Sequence, residues 1–94
     1  MKRVRDILPQ EELLAQLGEE AAELTQASLK MRRVLDGTNP TPKSFTQAKA
    51  DLNEDLADVL FCIHELRDLI DTDILWETVF RKHPRWLSRL EGKA

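Results

Sequence analysis

Tyrosine is absent from this chain, cysteine occurs once and glycine three times. The lone Cys62 has no internal disulfide partner, so no disulfide framework holds the fold; a buried thiol in a reducing cytoplasm is expected. Scarce glycine and few dense β-branched runs disfavour a sheet. No apolar run reaches membrane-spanning length. The basic start, Met1 to Arg5, leads into no secretory apolar segment, so a cytoplasmic protein with no membrane partner is expected. A net charge of −3 gives no ground for general nucleic-acid affinity.

What the chain does have is amphipathic helix. Hydrophobic residues make up 41% and charged ones 33%, a mixture that suits a soluble helical protein better than a disordered one. Its 94 residues allow one domain, spanning 1–94. A chain this short buries only roughly 60% of its unfolded surface, and a partner subunit would help complete a core.

Pro9, with Glu11 and Glu12 behind it, marks the start of a first helix running to about Leu35, and Gly37 suits its left-handed cap. Two prolines punctuate a loop over residues 38–43. Ser44-Phe45-Thr46-Gln47 reads as a capping box opening a second helix to about Leu69 or Ile70. Asp71-Thr72-Asp73 stops and restarts the chain, and a third helix covers roughly Ile74 to Leu90, with Pro84 expected to kink it. The expected fold is all-α: two long antiparallel helices plus a shorter C-terminal helix, completed by oligomerisation.

Two carboxylate pairs intrude on the apolar stripes of the long helices. Glu20-Ala21-Ala22-Glu23 and Asp55-Leu56-Ala57-Asp58 each place two acids three residues apart, on one side of a helix. Projected at about 100° per residue, Glu20 falls inside the stripe defined by Leu13, Leu17, Leu24 and Met31, with Glu23 at its edge. Asp55 falls between Cys62 and Leu66, with Asp58 on the border. Ionised carboxylates are costly to bury without a neutralising partner. Four of them facing one another call for a divalent ion, and oxygen-only ligands select hard cations, Mg²⁺ or Mn²⁺. His64 falls on the polar side and His83 in a basic segment; both are expected in solvent. Trp76 and Trp86 are expected in a core or interface, and Phe45, Phe61 and Phe80 in packing.

The pattern Glu19-Glu20-x-x-Glu23, then Glu54-Asp55-x-x-Asp58, resembles the two metal-binding helices of the MazG-like all-α nucleoside triphosphate pyrophosphohydrolases. The tail Lys82-x-x-Arg85-Trp86-x-x-Arg89-Leu90 is similar to the ending of short phage and bacterial members. The resemblance covers most of the chain from Leu13 to Leu90. It departs at Asp55, one methylene shorter than the family's usual glutamate, and at Pro84 within the tail.

The resemblance implies Mg²⁺-dependent hydrolysis of a nucleoside triphosphate to monophosphate and pyrophosphate, in nucleotide-pool house-cleaning, by a homodimer or homotetramer. Glu20, Glu23, Asp55 and Asp58 would hold metal. Glu19 or Glu54 would accept the proton of the attacking water or orient that water. Lys82, Arg85, Arg89 and Lys30 would meet the phosphates. Two other readings stay open: a non-catalytic helical interaction module with an acidic seam, and a metal-binding relative without activity.

Overall fold

Pro9 stands in extended conformation (φ −69°, ψ 161°) at the entrance of the first long helix, α1, which spans Gln10–Asp36. Its exit is Gly37 at φ 66°, a left-handed residue whose N–H bonds to the Arg33 carbonyl. That conformation costs glycine little and other residues more. The computed structural model describes residues 1–37 and 43–92; most of the expected loop, residues 38–42, lies outside them.

The Ser44 capping box forms as its sequence dictates. The Ser44 hydroxyl accepts from the Gln47 N–H, and the Gln47 side chain accepts from the Ser44 N–H, each at 3.2 Å. Helix α2 then runs Phe45–Glu65. It ends earlier than the hydrophobic pattern predicts. The Leu66 N–H is shared between the carbonyls of Cys62 and Ile63, and the chain tightens into a 3-10 turn over Arg67–Leu69. Leu66, where the helix tightens, is 2% exposed, whereas the turn that follows buries none of its residues. Asp71 caps the third helix, α3, which spans Thr72–Leu90; its carboxylate accepts from the Ile74 N–H at 3.1 Å. Pro84 lies within α3 and leaves the Phe80 carbonyl without its usual donor.

The tertiary packing is that of α1 against α2. Glu20 of α1 meets Asp58 near the end of α2, whereas Lys30 shares a cleft with Asp51 nearer its start, so the helices run antiparallel. The core between them is thin: Leu13, Ala27, Met31, Ala48, Cys62 and Leu66. Ala27 and Ala48 are its small members, and both are almost fully buried. A short 3-10 turn, Val4–Asp6, ties the N-terminus to this pair. There the Arg5 guanidinium meets Glu65 at 2.7 Å, and the Val4 N–H donates to the same carboxylate at 3.2 Å.

Helix α3 buries none of its residues. Trp76 and Trp86 are not core residues of this chain but 57% and 62% exposed, and Phe80 is 72% exposed. Phe45 and Phe61 are likewise about half exposed, contrary to the packing role expected of them. The radius of gyration, 17.0 Å, exceeds the roughly 12 Å of a compact chain of this length. The described residues are helical or irregular, with no strand among them. No described helix is long and apolar enough to cross a membrane.

Candidate metal centre and its adjoining cleft

The helical stagger brings Glu20 and Glu23, one turn apart on α1, against Asp58 of α2. One carboxylate oxygen from each lies within 4.8 Å of the others. Glu20 is the innermost. Gln16, one turn earlier, donates to its Oε1 at 2.8 Å, while its Oε2 is buried and has no hydrogen-bond partner. A desolvated carboxylate oxygen without a donor is costly to hold.

Glu23 registers the crowding. Its carboxyl is pushed above the ordinary glutamate value, first by the charge of Glu20, then by desolvation, a hydrogen bond with Glu20, and the charges of Asp55 and Asp58. Cys62, buried behind the cluster, has its thiol pushed up by burial and then by Glu20 and Asp58. It is therefore an inert protonated thiol at neutral pH, as its apolar setting in the sequence implies.

The donor set is oxygen-only, and one Glu20 oxygen is buried without a hydrogen-bond partner. These residues fit a hard divalent cation, Mg²⁺ or Mn²⁺, better than a soft one. Three of the four expected ligands converge. Asp55 stands outside the triad: it acts on Glu23 through its charge and lines the neighbouring cleft.

That cleft, about 380 Å³, opens between the helices beside the cluster, with Glu23, Gln26, Ala27, Lys30, Lys43, Asp51, Glu54 and Asp55 on its walls. Lys30 and Glu54 were read from the sequence; Gln26, Lys43 and Asp51 were not. Lys43 forms an ion pair with Asp51. The antiparallel register was the signal that would have found it, since the residues just before α2 must lie across from the last turns of α1. Glu19 is exposed and lies outside both cluster and cleft.

Lys82, Arg85 and Arg89 are exposed on α3, and none forms an ion pair with an acid of α1 or α2. None of the three belongs to the acidic cluster or to the cleft wall among the described residues. His64 and His83 are exposed, as expected.

No family model matches the chain, and no curated protein or solved structure matches it either.

Proposed function

We propose that this chain is a Mg²⁺-dependent nucleoside triphosphate pyrophosphohydrolase. The observation that carries the reading is the convergence of Glu20, Glu23 and Asp58 around a buried, unpartnered carboxylate oxygen, beside a cleft with two lysines. The MazG-like pattern of the two acidic motifs supports it.

Glu20, Glu23 and Asp58 would hold the ion, with Asp55 as a further oxygen at the cleft side. A bound Mg²⁺ supplies charge neutralisation at the phosphates and a more acidic water. Gln16 donates to one oxygen of Glu20 and leaves the other, buried and without a partner, to meet the ion. Glu54, on the cleft wall, would accept a proton from a water attacking the α-phosphorus. Glu19, turned to solvent, is less well placed for that role. Lys30 and Lys43 offer positive charge to the triphosphate, with Asp51 holding Lys43 in place until substrate competes for it. Lys82, Arg85 and Arg89 would serve the phosphates only when presented by a second copy.

A panel of nucleoside triphosphates with Mg²⁺ or Mn²⁺, scored by product, tests the reading. Monophosphate plus pyrophosphate is expected, with loss of at least about a hundredfold in Glu20→Gln. Diphosphate plus orthophosphate, or a rate indifferent to EDTA, overturns it. The uncovered apolar stripe of α3 favours a second reading, an interaction module without catalysis. That reading predicts the same melting temperature in Mg²⁺ and EDTA, whereas an ion bound only by the native state raises it.

A further inference from the structure

Phe61 is a large apolar side chain on a charged side of its helix. Projected at about 100° per residue, it falls on the side of α2 that carries Glu54 and Asp58. The exposed Leu56 and Leu60 fall on the other side. Its neighbours one turn away are Ala57, Asp58, His64 and Glu65, none of which offers a large apolar surface. The ring is 52% exposed. Among the described residues it contacts no other ring; Trp76 and Phe80 make that kind of contact.

The groove between α1 and α2 therefore has an order along its length. Lys30 and Lys43 stand at the end nearer the start of α2. Glu20, Glu23 and Asp58 come next. Phe61 comes last, one turn beyond Asp58, about 4.5 Å further along the helix at its usual rise. Lys30 lies two turns past Glu23 in the opposite direction, about 10 Å along the antiparallel helix. A nucleoside triphosphate cut at its α-phosphorus has the same order: β- and γ-phosphates, reacting phosphorus, then sugar and base.

We infer that Phe61 is the base platform of this groove, its ring stacking on the base of a nucleotide whose polyphosphate points toward Lys30 and Lys43. This role rests on the nucleotide reading given above and adds a contact for the nucleoside, which the acids and lysines do not supply. On an otherwise acidic helix side, the ring gives a flat, uncharged base apolar area to cover. Every base has a π-face, so one aromatic platform tolerates all of them, with preferences set by stacking strength.

Calorimetry in Mg²⁺ with two probes tests the platform. One is the α,β-methylene analogue of a nucleoside triphosphate, which resists cleavage at that bridge. The other is inorganic tripolyphosphate, which has no base. Phe61→Leu should weaken the analogue about tenfold and leave tripolyphosphate unchanged, with helical circular dichroism intact because the ring is half exposed. Phe61→Trp should restore the analogue's affinity. Equal weakening of both probes, which loss of fold or of an interface would produce, overturns the platform. So does an analogue that binds Phe61→Leu as tightly as it binds the parent. Platform and hydrolysis fail separately. Hydrolysis that persists at the parent's KM in Phe61→Leu removes the platform and leaves the enzyme. Analogue binding that depends on Phe61, with no nucleotide hydrolysed, keeps the platform and removes the enzyme. A parent that binds neither probe removes both.

Discussion

Arg5 and Glu65 form a buried ion pair at 2.7 Å, joining the N-terminal turn to the last residue of α2. Their side chains are 11% and 5% exposed. Glu65 also accepts the Val4 N–H, while Arg5 Nη2 is buried without a partner. The pair sits one residue before the buried Leu66, where α2 gives way to the 3-10 turn. It therefore anchors the C-terminal end of α2 to the N-terminal turn.

Removing one partner strands the other charge. Arg5→Ala is expected to destabilise the protein by about 3 kcal/mol, measured by urea denaturation followed by circular dichroism. The paired change Arg5→Met/Glu65→Leu should cost much less, because no buried charge is left behind. Equal losses in the two variants would show that packing, and not charge, carries the contact.

The raised Glu23 carboxyl makes the metal-free protein sensitive to pH. The folded state binds this proton more tightly than the unfolded chain does. Its contribution is therefore full below the unfolded value, about 4.3, and is lost as pH rises through the folded one. In EDTA, Glu23 should favour folding at mildly acid pH and cease to do so toward neutral. Glu23→Gln should flatten that component of the melting-temperature profile. Excess Mg²⁺ should remove it too, since the ion favours the charged form. A profile unchanged by Glu23→Gln would show that Glu20, Asp55 and Asp58 do not press on it.

Lys43 and Lys30 share the cleft wall but not the acidic cluster, so their loss should weaken substrate binding more than chemistry. Lys43→Ala and Lys30→Ala are each expected to raise KM about tenfold with a smaller change in kcat. Mg²⁺-dependent thermal stabilisation should be unchanged. Steady-state kinetics on the best substrate of the panel checks the first expectation, and melting with and without Mg²⁺ the second. A kcat loss at unchanged KM would move the lysines from binding to the reacting centre.

The helices and their acidic faces were legible because their signals are local. The Ser44-x-x-Gln47 box, the Gly37 exit and the placement of Glu20 inside an apolar stripe each depend on neighbours within a turn or two. The end of α2 was not legible. The apolar period continues through Leu69, and what stops the helix is a tight turn beside Glu65, whose partner Arg5 lies at the other end of the sequence. Lys43 was missed for a similar reason, since its place in the cleft follows from register. The exposure of Trp76 and Trp86 was hidden too: an apolar stripe records amphipathic spacing, not whether the rest of the chain folds over it. Asp55 shows the limit of spacing itself. It sits three residues from Asp58 on the same helix, yet the triad forms with Asp58 and leaves Asp55 to the cleft.

Ala27 and Ala48 are two methyl groups in the seam where α1 meets α2, and Ala27 also borders the cleft. They act as shims. Thickening either one would pry the scaffold apart and widen the gap between the carboxylates of Glu20 and Glu23 and that of Asp58. The spacing of the acidic cluster is thus adjustable by bulk placed in the seam, away from every carboxylate in it.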